Sequence, residues 1–376
     1  MNKNTQCVHG GSGGAIEVTG INTPVYTSTA YHYLDSDKQP YPRYFNTPNQ
    51  DVVVAKLCAL EQTEAGLLFG SGMAAISTTL FSLLSSGDHV VLQDQLYGGT
   101  FNLVMKEFER LGIRYTLAAS DADSIVAAVR DDTRVIYLES PTNPLLTVVD
   151  LRSIATMAKR RGMVTVVDNT FASPINQNPS LLGIDLVIHS GTKYLAGHSD
   201  LSCGAVLGSQ ALVDRIRALA LNFGGCLNAQ DAALLERSLK TLALRVERQT
   251  HNAAALAEFL GSLDAVSAVY YPGLPSHPSH SIARSQMNGY GAMLGFELAD
   301  DAIDSLRFQR NLKLIAPVLS LGGVESSICA PAITSHRHLS PAQRADMGVR
   351  DGLLRLSVGI EDVADLQGDI LQALEQ

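Results

Sequence analysis

Between Gln50 and Leu207 the chain switches repeatedly between two hydrophobic rhythms. Short, nearly unbroken apolar runs stand at His89–Leu92, Val135–Leu138, Val164–Val167, Ile184–Ile188 and Ala205–Leu207. Between them lie stretches whose apolar residues recur every three or four positions. The first rhythm predicts strands buried on both faces and the second amphipathic helices. Helices are expected over VVVAKLCALEQTEA, from Met73 to about Leu84, and over Phe101–Leu111, which the short run Arg114–Leu117 follows, and over Asp121–Arg130 and Leu151–Arg161. Such alternation predicts a mostly parallel sheet covered by helices. Further on, Asp231–Phe259 reads as one or two long amphipathic helices without a breaker. The loop YYPGLPSHPSH, a β-like segment Gly291–Leu298, the helical SLRFQRNLK, the turn SLGG and a strand Leu353–Val358 follow, and together predict a smaller α+β domain. Residues 1–50 show little helical periodicity, but their tyrosines argue for an arm that docks on something, a neighbouring subunit if the body is complete without it. The expected division is an arm over 1–50, a main domain over 51–230 and a C-terminal domain over 231–376.

In parallel sheets of this kind ligands bind beyond the carboxyl ends of the strands. Polar residues gather there: Tyr97 after one strand, Glu139 and Asn143 after the next, Asp168 after a third, Ser190 and Lys193 after a fourth. Lys193, set among small and hydroxylated neighbours, suggests an imine-forming amine, because burial lowers an amine's pKa and frees its lone pair. On local sequence alone a solvated loop lysine is the commoner reading. Gly70-Ser71-Gly72 opens the helix that begins at Met73, and unpaired N–H groups at such a start can cradle a phosphate. A lone Gly-Ser-Gly more often simply makes a turn.

Composition narrows the classes. At 376 residues the chain can bury two substantial cores. Its 46% hydrophobic and 17% charged residues are those of a soluble globular protein. A net charge of −9 argues against nucleic acid or an anionic membrane as partner. The polar N-terminus lacks the apolar core of a signal peptide, and no run approaches the length of a membrane span. The five cysteines are scattered and odd in number, which fits neither a disulfide framework nor a zinc knuckle, so a reducing cytoplasm is expected. Cys203, Cys226 and Cys329 are expected to pack as small apolar residues, and the histidines of PSHPSH to serve a loop rather than a metal.

The motifs SGMAAI, LYGGT, ESPTNP, VVDNT, HSGTKYLAGHSD, GLPSHP, SLGGVES and LRLSVGIED, in that order and over essentially the whole length, resemble the Cys/Met-metabolism family of pyridoxal 5'-phosphate (PLP) enzymes. That family includes cystathionine γ-synthases, cystathionine β- and γ-lyases, methionine γ-lyases and O-acylhomoserine sulfhydrylases. The resemblance implies the aspartate aminotransferase-like α/β fold, fold type I of the PLP enzymes. It implies that Lys193 holds PLP covalently and moves protons at the substrate's Cα. Asp168 would pair with the pyridine nitrogen. Tyr97 would stack on the ring and act as an acid/base at the leaving group. Gly72, Met73, Ser190 and Thr192 would hold the phosphate, completed by Tyr41 and Arg43 from the neighbouring subunit. Arg355, assisted by Ser320 and Asn143, would grip the substrate carboxylate. Pro42 between Tyr41 and Arg43, and Asn46-Thr47-Pro48-Asn49 after them, depart from the family's usual pattern. Cys329-Ala330-Pro331-Ala332 departs too, where His-Pro-Ala is frequent.

The implied reaction is carbon–sulfur elimination that yields a thiol, ammonia and a keto acid, by a homotetramer built as a dimer of dimers. The alternatives are γ-replacement on an O-acylhomoserine, methionine γ-elimination or, in another class, transamination. Leu319, beside Ser320, favours a substrate with an apolar or short side chain. Gly99, where methionine γ-lyases usually carry cysteine, points toward the cystathionine enzymes and sulfhydrylases.

Overall fold

The computed structural model describes residues 1–11, 20–34, 39–299, 305–335, 337, 340, 342, 344 and 348–375. Two sheets organise it. The larger joins β1 (Ala65–Phe69), β2 (His89–Gln93), β3 (Arg114–Ala118), β4 (Thr133–Glu139), β5 (Val164–Asp168), β6 (Leu186–His189) and β7 (Gly204–Gly208) in the order β1-β7-β6-β5-β4-β2-β3. Only β7 runs against its neighbours, so the sheet is mostly parallel. Side chains two apart share a face. Val90, Tyr137 and Val166 accordingly enter one apolar cluster with α3 (Gly72–Leu83) and α8 (Gln210–Phe223). Their neighbours Val91, Ile136, Leu138 and Val167 enter another with α6 (Leu151–Arg160) on the opposite face. Burial on both faces is why these strands read as continuous apolar runs.

The smaller sheet has the order β10-β11-β12-β9-β8, with β8 at Val266–Tyr270, β9 at Met293–Leu298, β10 at Ala316–Pro317, β11 at Ser327–Cys329 and β12 at Leu353–Ser357. Strand β12 lies between β11 and β9, antiparallel to both, and places Arg355 opposite Cys329 and Gly295. The expected long helical stretch is two helices, α9 (Ala229–Leu239) and α10 (Leu242–Gly261), parted at Lys240–Thr241. The expected helix over Phe101–Leu111 starts earlier and is irregular: α4 (Gly98–Leu103) passes into a widened π-type turn over Val104–Phe108.

The N-terminal stretch, where little helical periodicity is legible, begins with a helix. Lys3–His9 forms a helix, α1, which packs on α2 (Pro48–Glu61) and α10 of its own chain. Two lysines hold it there. Buried Lys56 donates to the carbonyls of Cys7 (3.3 Å) and Val8 (3.1 Å), capping the last turn, and Lys3 donates to Leu60 O and Asn178 Oδ1. Seven residues are too few for a hydrophobic period to stand out, which is why the pattern hid this helix. Cys203 and Cys329 are buried and Cys226 partly so, all three unbridged. No helix of the described residues is long and apolar enough to cross a membrane.

Candidate active site

The carboxyl ends of β2, β4, β5 and β6 open on a cavity of about 430 Å³, closed from the other side by the 319–321 loop and Arg355 of β12. Eleven of the thirteen candidate site residues line it. Gly72 and Met73 stand at the start of α3, Ser190, Thr192 and Lys193 on the turn after β6, Asp168 at the end of β5 and Tyr97 after β2. Asn143, Leu319, Ser320 and Arg355 complete the eleven. Tyr41 and Arg43 do not reach the cavity of their own chain. Arg43 Nη1 instead donates to Leu221 O (2.7 Å), and its guanidinium lies against the rings of Tyr41 and Tyr44.

At one end the cavity is built for an anion. Ser71 caps α3, its Oγ accepting from Ala74 N (3.1 Å). The amides of Gly72 and Met73 in the first turn have no acceptor within the helix. Gly72 lies so close to the β6 turn that a Cβ there would sit 2.8 Å from Ser190 Cβ and 2.9 Å from its Oγ. The absence of a side chain thus keeps helix terminus and hydroxyl together. Thr192 Oγ1 is anchored at Cys203, accepting from its N–H (3.0 Å).

Deeper in, two carboxyl residues stand side by side, Glu139 buried and Asp168 half-buried, since they are register partners on β4 and β5. Burial pushes the Glu139 carboxyl well up, and the neighbouring Asp168 pushes it further. Burial raises Asp168 too, but the hydroxyl and N–H of Thr170 donate to its Oδ1 and His189 draws it back. Like charges this close cannot both persist in a dry site. Of the pair, Glu139 is pushed further toward its neutral form, and the Thr170 donors and His189 favour the anion on Asp168. Glu139 Oε2 accepts from Tyr97 N (2.9 Å), while Gln93 clamps the Glu139 backbone through N–H (3.0 Å) and C=O (2.9 Å). Behind Asp168, His189 Nε2 meets Glu61 Oε1 at 2.7 Å, and Glu61 also accepts from Asn169 and Asn178.

Lys193 Nζ donates to Ser320 Oγ (3.1 Å) across the cavity. Its ammonium form is disfavoured first by burial and then by the positive charge of Arg355, so its pKa lies below the usual lysine range. Arg355, only 4% exposed, bonds Asn143 Oδ1 (2.9 Å) and Leu319 O (3.3 Å). Among the described residues no carboxylate pairs with it, and its Nε lacks a partner. A buried guanidinium held only by neutral oxygens is a receptor for an external carboxylate. Leu319 is exposed at the mouth, and the Tyr97 ring folds back over Gly99, where a Cβ would meet the ring and Met73 Sδ.

These shifts give a direct expectation. Labelling of Lys193 by an amine-directed reagent should rise with pH around a midpoint below that of free lysine. Arg355→Met removes a like charge, so the ammonium becomes easier to keep, the midpoint moves up and labelling at a fixed pH slows. Peptide mass spectrometry across a pH series checks this; an unmoved midpoint would leave burial as the only cause.

The residues fit PLP. An anion cradle, a half-buried carboxylate and a depressed amine line a single cavity, and the required glycine at position 72 is part of the cradle. Sequence reasoning missed Thr170, Ser202 and Glu61. The Asp-x-Thr spacing in VVDNT is the signal for Thr170, because a hydroxyl two residues on readily returns to the carboxylate. Nothing in ALEQ marks Glu61, which meets His189 across 128 positions of chain.

A family model described as Cys/Met metabolism PLP-dependent enzyme matches residues 4–375. Cystathionine beta-lyase of Lactococcus lactis is 43% identical over 99% of this chain and 98% of its own. Cystathionine gamma-lyase of Bacillus subtilis is 42% identical over 100% of both. L-methionine gamma-lyase of Pseudomonas putida is 44% identical over 89% of this chain and 85% of its own. Among solved structures, cystathionine gamma-lyase from Lactobacillus plantarum complexed with L-serine superposes with a TM-score of 0.96, at 38% identity, covering 100% of this chain and 99% of that one.

Proposed function

Because the chain belongs to the Cys/Met-metabolism family of PLP-dependent enzymes, we propose that it is a carbon–sulfur lyase. It eliminates a thiol from a sulfur amino acid, with cystathionine as the first candidate, to leave a keto acid and ammonia. The observation that carries this reading is the amine of Lys193 and the guanidinium of Arg355, unpaired with any acid among the described residues, facing one cavity.

PLP, when bound, supplies an electron sink for the charge that develops at the substrate's Cα. The Gly72 and Met73 amides and the Ser190 and Thr192 hydroxyls would hold its phosphate, and the Asp168 carboxylate would hold the ring-nitrogen proton. Arg355 grips the α-carboxylate through Nη1 and Nη2, its Nε supplying a further donor, while Asn143 keeps the fork aimed. Lys193 Nζ takes the proton from Cα, and Ser320 orients that nitrogen. The Tyr97 hydroxyl stands at the mouth, where it can protonate the departing sulfur. Tyr41 and Arg43, absent from their own cavity, would complete a neighbour's phosphate site in a tetramer of two dimers. We place the enzyme in the cytoplasm.

Exposed Leu319 favours a second reading, methionine γ-elimination, since an apolar mouth suits a thioether tail. γ-Replacement on an O-acylhomoserine is the reading that Gly99 supports, and an aminotransferase would use the same amine. A product panel separates them. With cystathionine and no added keto acid, pyruvate with homocysteine marks β-elimination and 2-oxobutyrate with cysteine marks γ-elimination. Methionine giving methanethiol selects the second reading, and O-acetylhomoserine with sulfide giving homocysteine selects replacement. Keto acid formed only when an amino acceptor is supplied would overturn the lyase.

A further inference from the structure

Helix α10 turns a row of buried polar side chains toward the site without touching the cavity. Arg245, Gln249 and Asn252 recur at spacings of four and three, so they share one helix face, and each is 5% exposed or less. All three donate mainly to backbone carbonyls. Arg245 Nη1 donates to Tyr194 O (2.9 Å) and its Nη2 to Leu195 O (3.3 Å), the two peptide units that follow Lys193. The same Nη2 reaches Ser238 O (3.0 Å), and Nε reaches Thr241 Oγ1 (3.3 Å). Gln249 Nε2 donates to Gly323 O (2.7 Å), three residues from Ser320, and to Val358 O (3.2 Å), three from Arg355. Asn252 Nδ2 donates to Gly359 O (3.1 Å) and Glu361 O (2.8 Å).

One rigid element thus grips the chain beside each of the three groups that must meet. No acid among the described residues forms an ion pair with Arg245, and burial drags its guanidinium down to about 10. A fold that only needed an apolar helix face would not retain a buried cation there, given what its desolvation costs. Gly197 closes the turn at φ +71, and a Cβ on it would strike the Arg245 guanidinium. Gly322, at φ +77, leaves room on the other side, where a Cβ would sit 2.8 Å from Tyr194 N.

We propose that Arg245, with Gln249 and Asn252 behind it, is a positioning residue that sets Lys193 against Ser320 and Arg355 from α10. The inference rests on Lys193 being the reacting amine. Placement of a reacting group by an ångström is worth up to about 10²-fold in rate, which is the scale the carbonyl clamp would control.

The test compares PLP-loaded wild type, Arg245→Met, Arg245→Lys and Gln249→Met. Arg245→Met should lower kcat about 10- to 10²-fold with KM within about twofold. It should also move the pH midpoint of the visible cofactor band and lower the fraction of Lys193 trapped by borohydride. Arg245→Lys, which can still reach one carbonyl, should recover part of each, and Gln249→Met should lower kcat with a smaller shift of the band. If Arg245→Met folds with wild-type kcat, midpoint and trapping, or if losses follow the melting temperature alone, the proposal fails. Should Arg245→Met not fold, unaltered values in both Arg245→Lys and Gln249→Met would overturn it. Absence of trapping at Lys193 in wild type would instead sink the functional reading itself.

Discussion

Lys193→Ala lowers kcat/KM on any substrate of this enzyme by at least about 10⁴-fold, the upper range for loss of a positioned acid/base. It also removes the covalent attachment of PLP. The wild-type protein treated with borohydride carries its label within residues 191–197, and the variant carries none. The fold survives, because the side chain's one described hydrogen bond, to Ser320 Oγ, joins two loop residues rather than core groups. Far-ultraviolet circular dichroism should therefore overlay the wild type. Undiminished turnover, or label elsewhere in the variant, would assign the amine to another lysine and dismantle the functional reading.

Asp168→Asn should carry the second largest effect. The substitution keeps the shape and an acceptor for Thr170, but removes the carboxyl of the Glu139–Asp168 pair whose anion the Thr170 donors favour. A neutral amide cannot balance a cationic ring nitrogen. Loss of one preorganised electrostatic partner costs about 10²- to 10³-fold in rate. We expect kcat to fall on that scale and the dissociation constant for PLP to rise about tenfold, since charged hydrogen bonds are roughly twice as strong as neutral ones. Steady-state rates and fluorescence titration of the apoprotein measure the two separately. The matching change Glu139→Gln should be mild, since burial and Asp168 both push that carboxyl toward its neutral form. Equal damage from both would show that the proton had been placed on the wrong partner.

The large sheet was legible because its strands are buried on both faces, which writes them as apolar runs such as Val164–Val167. What lay hidden was short, exposed or irregular. Strand β8 has no fully buried residue, β10 has two exposed residues, and the π-type turn over Val104–Phe108 breaks the helical period. The candidate site was legible to the extent that its residues follow strands directly, as Asp168 and Tyr97 do. Arg355 is different. An arginine inside LRLSVG is conspicuous, but its placement opposite Lys193 depends on how the two sheets meet, and no local pattern carries that. Glu61 and Arg245 were invisible for the same reason, each acting on a turn far away in the chain.

The cavity is unequal in its two halves. Asp168, Glu139 and Arg355 are walled in and bonded on several sides, whereas Tyr97 is 47% and Leu319 71% exposed at the rim. Exchanges at the rim disturb few neighbours, while exchanges at the base disturb many. A lineage built on this architecture can therefore change its diet one mouth residue at a time while inheriting the same chemical engine intact.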